Sequence, residues 1–405
     1  MKHLITIALC ILTLKNSSTK PKTGGSTEST NNSKKINIKG LVGIDITKNP
    51  KKAIDIADIA NIEYIPLETN DSTLVRFSPD AVSKKDIIYH NPDGQILIFN
   101  RQGKRLYSFN HSGGGPEEYN SIYNVILDED KEELYIGSLE INTQINVYSI
   151  NGKFKRRLIL PKKIISGYMI NYDKDHLFFN NYYFMDISEE ISGRELSKED
   201  VAIRDNPYFF ISKQTRELIP LDYYIPNRMG NRTHLTQNAK SLSSISMNIL
   251  PLAQNTLDIL ISDFADDTLY SLKNKKLLPI MIKKPSAHKM TPPMLVGVSF
   301  FTNRYVFIDA VEKKAEGKLN QNSMVYDKKV NDFYQLNLLN KDDSNKRYIN
   351  LIGVGSLHNT SYCLMYPDYL LQAYSTNKLK GELKEIASKL IEDDNPVLML
   401  IKFKE

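Results

Sequence analysis

The chain repeats one short phrase, in which an apolar run, a tight polar turn and a second apolar run follow one another. The phrase occurs six times between about residue 74 and the C-terminus. Its copies pair Val75–Val82 with Ile87–Tyr89, Ile122–Leu127 with Leu134–Ile136, Tyr168–Tyr172 with Leu177–Phe179, Ile245–Leu252 with Leu257–Ile261, Leu295–Phe301 with Tyr305–Ile308, and Leu351–Leu357 with Tyr362–Met365. Strand-length apolar runs separated by turn residues are typical of β-hairpins.

In several copies a third strand and a charged or glycine turn follow the hairpin, as in Ile96–Lys104 and Ile145–Lys153. A four-stranded unit of this kind cannot bury both of its faces alone, whereas a ring of such units can. The sequence therefore predicts an all-β fold, a six-bladed β-propeller that takes up residues 41–405. Propellers support many unrelated functions, so the function has to be sought in the loops.

Each end of the propeller segment predicts a strand without a neighbour in sequence. Tyr64–Glu68 has no hairpin partner before it, and Val397–Phe403 has none after it. Pairing these N- and C-terminal strands would close the ring and leave no open sheet edge. Just before the last strand, Leu383, Ile386 and Leu390 recur at helical spacing, which predicts a short helix inserted in the last blade.

The first forty residues do not fit the propeller pattern. A basic residue is followed by the apolar segment Leu4–Leu14 and then by Lys15, the layout of an export signal, which we place at residues 1–20. A core strand is the alternative interpretation of this segment, and a lipid anchor at Cys10 is left open. Residues 21–40 are rich in Ser, Thr, Asn and Lys, which is typical of a low-complexity tether. We therefore expect an exported protein, either periplasmic or on the cell surface.

The formal net charge of +6 does not indicate a nucleic-acid partner. Half of it comes from the first twenty residues, and the other Lys and Arg residues are interleaved with Asp and Glu. Because no arginine-rich stripe is present, the sequence lacks the electrostatic signature of a nucleic-acid binder. Cys363 lies in an apolar run, where we expect a small buried side chain rather than a nucleophile. A membrane contact is expected only through an N-terminal anchor.

Three motifs lie along the propeller segment: Tyr64–Thr69 at its start, Gly113–Tyr119 after the first blade, and Asp394–Leu398 near its end. In this order they resemble the secreted six-bladed β-propellers of the NHL-like type that are common in gut Bacteroidetes. The resemblance covers about residues 45–405, and Glu117 stands where that family more often has glycine. It implies the propeller fold and export, and it does not imply an established activity.

The lengths of the connections predict which face of the ring binds a ligand. If strands A to D of a blade run from the centre outward, the B-to-C and D-to-A connections open on one face and the A-to-B and C-to-D turns on the other. The long connections all belong to the first class: Asn180–Asn206, Asp222–Leu242, Asp309–Ser323 and Pro367–Asn395. Insertions confined to one face of a repeat protein often form its binding surface. Chance scatter of loop lengths is the alternative.

Residues at the ends of the B strands are expected to line the mouth of the channel on this face. They are His90, Ser138, Asn180, Asp263, Asp309 and Tyr366. This polar set suits a hydroxyl-rich ligand, although Asp and Asn also suit ordinary turns. The loop His111–Tyr119 opens on the same face and adds the candidates His111, Gly114, Glu117, Glu118 and Tyr119. Its three glycines allow a ligand to approach the backbone closely, and a rigid turn between blades is the alternative.

These features favour a non-enzymatic protein that binds a glycan, a peptide or a protein partner. The first alternative is a propeller enzyme, a lyase or glycoside hydrolase, that uses His90, His111 and the Glu117 and Glu118 pair at the channel mouth. A structural scaffold is the second. The motifs His-Glu-x-x-His and Gly-x-Ser-x-Gly are absent, and the seven histidines lack metal-ligand spacing. We expect no cofactor, with calcium at the acidic run Asp263–Asp267 as the alternative.

Overall fold

A computed structural model describes residues 40–138, 144–160, 168–180, 206–225, 228–230, 250–256, 258–313, 321–337, 340–345, 351 and 357–405, with the backbone alone at 232–237 and 241–246. The predicted export signal, Cys10 and the predicted tether up to residue 39 lie outside the described residues. In the part of the chain that is described, no helix is long and apolar enough to cross a lipid bilayer.

Six sheets form the blades of a propeller ring, which we number in chain order. Three N-terminal strands precede blade 1: β1 (Val42–Asp45), β2 (Ala53–Asp55) and, after the short helix α1 (Ile56–Ile59), β3 (Ala60–Pro66). Blade 1 contains β4 (Ala81–Val82), β5 (Asp86–His90), β6 (Gln95–Asn100) and β7 (Arg105–Asn110). Blade 2 contains β8 (Ile122–Asp128), β9 (Glu133–Ser138), β10 (Gln144–Ser149) and β11 (Phe154–Ile159). Blade 3 contains β12 (Tyr168–Asn171), β13 (His176–Asn180), β14 (Tyr208–Ser212) and β15 (Leu218–Pro220).

A two-stranded hairpin, β16 (Arg232–Gln237) and β17 (Ser241–Ser246), separates blade 3 from blade 4. Blade 4 contains β18 (Leu252–Asn255), β19 (Asp258–Ile261), β20 (Thr268–Lys273) and β21 (Lys276–Lys284), and a 3₁₀ turn at Ala287–Lys289 follows it. Blade 5 contains β22 (Met294–Phe301), β23 (Tyr305–Glu312), β24 (Gln321–Asp327) and β25 (Asp332–Asn337). Blade 6 contains β26 (Thr360–Met365), the helices α2 (Pro367–Ser375) and α3 (Gly381–Ala387), and β27 (Val397–Phe403).

The first strand of a blade lies nearest the centre of the ring. Across blade boundaries β8 contacts both β4 and β12, and β18 contacts β22. Successive residues of a strand point to opposite faces, so a blade buried on both sides needs continuous apolar runs rather than alternation. In β5, Ile88 packs against blade 2 and Tyr89 packs against blade 6. The core is therefore a set of apolar layers between neighbouring blades.

The N- and C-terminal strands close the ring, as the sequence predicts. Strand β27 lies between β26 and β3, and its pairing with β3 runs from Val397 opposite Pro66 to Phe403 opposite Ala60. The side-chain amide of Asn395 fastens the join, donating to the backbone carbonyls of Glu68 and Thr73 at 2.9 and 2.8 Å. The sequence predicts one inserted helix in this blade, whereas the structure has two, α2 and α3.

Two strands extend the ring in a way that the sequence pattern does not predict. Strand β1 adds in parallel to the outer strand of blade 4, and β2 adds in parallel to the outer strand of blade 5. Both blades thereby become five-stranded, and the short strands β1 and β2 cover the edges of β21 and β25.

Three of the predicted inner strands differ from the structure or lie partly outside the described residues. Ile245–Leu252 is not the inner strand of blade 4, because its first residues pair within the β16–β17 hairpin and the inner strand begins at Leu252. Only Ala81–Val82 of Val75–Val82 is a strand, and 352–356 of Leu351–Leu357 lie outside the described residues. Cys363 in β26 is half-buried rather than fully buried.

Candidate functional site

Long connections open on one face of the ring only, as far as the described strands show. The A-to-B and C-to-D turns between them have at most five residues. The B-to-C connections at 181–207 and 366–396 and the D-to-A connections at 67–80 and 221–251 are all longer. We call the face that carries them the loop-rich face. The sequence predicts that the central part of this face is the mouth of a channel lined by the candidate ligand residues.

His90 ends strand β5 on the loop-rich face and belongs to a polar pair. The pairing of β4 with β5 brings Asp80, which immediately precedes β4, next to the last residue of β5. The Nδ1 atom of His90 lies 2.8 and 2.9 Å from the two carboxylate oxygens of Asp80. Burial raises the pKa of the Asp80 carboxyl, and the His90 contact opposes that rise. The Phe77 ring lies 5.6 Å from the His90 ring, and 45% of Phe77 is exposed.

Asn180 is a fully buried amide at the end of β13. Its backbone lies opposite Tyr168 of the inner strand on one side and Tyr208 on the other. Neither atom of its amide group has a hydrogen-bond partner among the described residues. A buried polar group without a partner costs about 1–3 kcal/mol, so a polar partner placed at this amide would be favourable.

Asp263 follows β19 at the same face, and its carboxylate is already paired. The Nε and Nη2 atoms of Arg228 lie 3.0 Å from its Oδ2 atom, and the Tyr208 hydroxyl donates to the same oxygen at 3.0 Å. The Asp263 and Arg228 side chains are 1% and 2% exposed. Burial, followed by the Asp263 charge, raises the pKa of Tyr208. Asp263 therefore joins blade 4 to blade 3 through Tyr208 and to the connection between the two blades through an internal ion pair.

The acidic run Asp263–Asp267 is in contact with a buried lysine. The buried ammonium of Lys283 donates to the backbone carbonyls of Asp263 and Asp266 at 2.7 and 2.8 Å. Burial lowers the pKa of Lys283 to about 8, against the opposing effect of the neighbouring carboxylates. The Asp266 carboxylate accepts from the hydroxyls of Tyr223 and Tyr270. No group of three or more His, Cys, Asp or Glu among the described residues has the arrangement of a metal site.

The remaining B-strand candidates lie in different settings. Asp309 does not end its strand, because β23 continues to Glu312. It lies opposite Gly297 on one side and Ser323 on the other, and its carboxylate accepts a hydrogen bond from the Ser323 hydroxyl. Ser138 ends β9 and is half-buried. Tyr366 precedes α2 and is 45% exposed, so its ring is accessible at the loop-rich face.

The glycine loop between blades 1 and 2 is filled by its own carboxylate. An Oε atom of Glu118 accepts from the Gly115 backbone at 2.7 Å, and a Cβ atom on Gly113 would lie 2.0 Å from that oxygen. The Glu118 carbonyl accepts from the Asn146 amide, and the Glu117 carbonyl accepts from the Tyr148 hydroxyl. These contacts give the loop the geometry of a turn that joins two blades.

The other candidates of this loop are also used internally, with Gly114 as the exception. The His111 Nε2 atom lies 2.9 Å from the Gly152 carbonyl, and its ring stacks on Tyr148 with centroids 5.3 Å apart. Tyr119 is buried and donates to the Gly94 carbonyl at 2.8 Å. Gly114 is exposed and has open space around it. The structure does not bring this loop together with His90.

Of the eleven exposed large apolar side chains among the described residues, six lie in connections of the loop-rich face and four lie on outer strands. The six in these connections are Leu74, Phe77, Tyr224, Tyr366, Tyr374 and Ile391. The turns of the opposite face contribute only Val330 to this set of described residues. Five of the six lie in 67–80 and 366–396, the connections that Asn395 ties together. We call this part of the face the blade 6–1 sector.

Sequence reasoning missed Asp80 and Phe77, the two partners of His90. Both lie in the D-to-A connection before blade 1, a class of connection that the sequence places on this face. The available signal was the position of Asp80 directly before an inner strand. Long connections that open at the mouth contribute side chains from their whole length, so the ends of the B strands are an incomplete set.

A closed ring of six blades, elaborated on one face, defines this chain as a six-bladed β-propeller. The chain belongs to the family described as domain of unknown function DUF4934, whose model matches residues 41–402. None of the curated proteins matches it.

Two solved structures from Bacteroides are similar to the chain. The structure of a candidate exported protein from Bacteroides fragilis is 15% identical, covers 90% of this chain and 99% of that chain, and has a TM-score of 0.61. A member of the DUF4221 family from Bacteroides vulgatus is 11% identical, with coverage of 85% and 97% and a TM-score of 0.47. At such identities the first likeness shows the fold alone.

Proposed function

We propose that this protein is an exported, non-enzymatic binding protein that holds a peptide or protein partner at the blade 6–1 sector of its loop-rich face. Five exposed apolar side chains in two connections that Asn395 joins carry the proposal, because an apolar surface shared by one region of a soluble protein is typical of an interaction site. Aromatic anchors such as Phe77 and Tyr366 supply large contact areas with few rotatable bonds. The aliphatic residues Leu74 and Ile391 favour a polypeptide over a glycan.

A binding screen with a matched control tests this proposal. Wild-type protein is applied to peptide and glycan arrays, and the hits are measured again with the double variant Phe77→Ala and Tyr366→Ala. The control replaces two equally exposed side chains elsewhere, Val330→Ala and Leu106→Ala. We expect the sector variant alone to lose peptide binding, with both variants melting as the wild type does. Equal binding by both variants, or hits among glycans only, would contradict a polypeptide site in this sector.

The proposed binding requires no cofactor, since Lys283 already supplies the cation of the acidic run. Binding that survives EDTA supports this, and binding that EDTA abolishes and calcium restores would contradict it. Export rests on the apolar segment Leu4–Leu14 and on the resemblance to NHL-like secreted propellers. N-terminal sequencing of protein recovered from the cell envelope tests export, and a product that begins at Met1 in the cytoplasm would contradict it.

A lyase or glycoside hydrolase is the second candidate, favoured by the pair that His90 and Asp80 form. A buried carboxylate that orients an imidazole is a common arrangement for a general base. Release of new chain ends from polysaccharides, lost in both His90→Gln and Asp80→Asn, would support it. Absence of turnover with both acidic and neutral polysaccharides would contradict the enzyme and favour the binding function.

A further inference from the structure

A pocket of about 500 Å³ lies between blades 2 and 3, away from the loop-rich face. It is lined from three directions: by the A-to-B turn of blade 2 with Lys131, by the outer strand β11 with Arg156, and by the C-to-D turn of blade 3 with Lys213 and Arg216. Glu133 is the one acidic residue of the lining. Nothing in the proposed binding function uses this basic pocket.

Two of these cations are already neutralised. Arg156 makes a forked pair with Glu133 through two contacts of 2.8 Å, and Lys155 reaches the same carboxylate at 2.9 Å. The buried ammonium of Lys213 lies 2.7 Å from Asp128. The two carboxylates thus face four cations, namely Arg156, Lys155, Lys213 and Lys131, whose ammonium lies 3.9 Å from Asp128. Arg216 adds further positive charge.

Several donors remain available around the pocket. The guanidinium of Arg216 has no acceptor among the described residues, and the Arg156 fork leaves its Nε–H unused there. Lys131 gives one hydrogen bond to the Lys174 carbonyl and lies 3.9 Å from the Asp128 carboxylate, beyond hydrogen-bond distance, and its ammonium has three donors. Arg157 also lines the pocket, but its Nε donates to the Asn146 side chain at 2.8 Å, so we do not assign it a role.

We propose that this basic pocket binds a sulfate or phosphate group carried on a larger ligand. Donors that converge from two blades suit a tetrahedral oxyanion, which accepts hydrogen bonds from many directions, better than a planar carboxylate, which suits a single fork. The cavity lies in the size range of small-molecule sites and leaves room for the group that carries the anion. Lys213 and Glu133 are buried, with 1% and 6% of their side chains exposed, so these two lining side chains are held in place by their surroundings.

The test measures binding of inorganic sulfate and phosphate to the folded protein, with sodium chloride and acetate at equal ionic strength as references. The test variant is Lys131→Gln with Arg216→Asn, because Asn tolerates the positive φ of 68° at position 216. The control variant, Lys104→Gln with Lys329→Gln, removes the same charge from exposed C-to-D turn positions of blades 1 and 5.

We expect saturable binding of sulfate or phosphate to the wild type and to the control variant, weakened about tenfold or more in the test variant because two charge-assisted contacts are lost. Stronger binding of sulfate would indicate a sulfated ligand, and stronger binding of phosphate a phosphorylated one. A wild-type response to neither anion beyond that to chloride would overturn the proposal. Equal binding of acetate, or equal loss in both variants, would also overturn it.

Discussion

Removal of the last strand tests whether the ring is held closed by its two chain ends. Deleting Val397–Glu405 takes away β27, the strand between β26 and β3. Six of the seven residues of β27 are apolar and no more than 6% exposed. Burying side chains of this kind stabilises a fold by about 1.5–3 kcal/mol each, which makes about 9–18 kcal/mol for the six side chains. That matches or exceeds the whole stability of a typical domain, about 5–15 kcal/mol.

We therefore expect the truncated protein to lose its cooperative thermal transition or to aggregate, because β3 and β26 both become open edges. Far-UV circular dichroism with temperature and size-exclusion chromatography measure the two outcomes. Lys402→Ala is the control, since Lys402 is the exposed residue of the strand and its ion pair with Glu63 lies at the surface. A truncated protein that stays monomeric and melts cooperatively would refute this account of closure.

Point substitutions separate the two faces of β27. Leu400 packs in the apolar layer shared with blade 1, and Met399 packs in the layer shared with blade 5 and the inserted helices. Leu400→Ala and Met399→Ala should each lower the free energy of unfolding by about 2–5 kcal/mol, as large-to-small changes at buried sites do. If either change leaves urea denaturation unaffected, the strand is not buried on that face in solution.

The other predictions concern local contacts. Asp263→Asn should lower the free energy of unfolding by about 3–5 kcal/mol, measured by urea denaturation, because the buried Arg228 loses its counter-charge; an unchanged denaturation midpoint would show that the ion pair is not needed. The pKa of Glu133 is lowered to about 2 from 4.5, burial being outweighed by its bonds to basic side chains, so its contribution to stability is full above about pH 4.5 and is lost as the pH falls towards 2. The difference in melting temperature between wild type and Glu133→Gln should shrink over that window, and a constant difference would contradict it. Gly103→Ala should cost about 1–3 kcal/mol, since φ is +78° and a Cβ atom would meet a backbone carbonyl at 2.0 Å, whereas Gly114→Ala, in open space, should cost almost nothing; equal melting temperatures of these two variants would be the contrary result.

Local patterns in the sequence determine the blades. Ile122–Leu127 and Leu295–Phe301 predict strands that the structure places within a residue or two, because burial on both faces demands continuous apolar runs. The closing pair of strands follows from the same reasoning, since Val397–Phe403 has β26 before it but no hairpin partner after it. The one-sided long connections also follow from chain order, because each strand runs antiparallel to the strand before it.

Tertiary structure alone decided which side chains meet. The β1 and β2 strands are too short to show a pattern, and they become strands only because outer edges of blades 4 and 5 offer backbone partners. The pairing of Asp263 with Arg228 and the filling of the glycine loop by Glu118 depend on how connections fold back. Periodicity encodes burial along a strand but carries no information on contacts between distant loops. The sequence by itself therefore determined the ring and the face that carries the long connections. The packing of the loops decided which side chains come into contact, as His90 and Asp80 do.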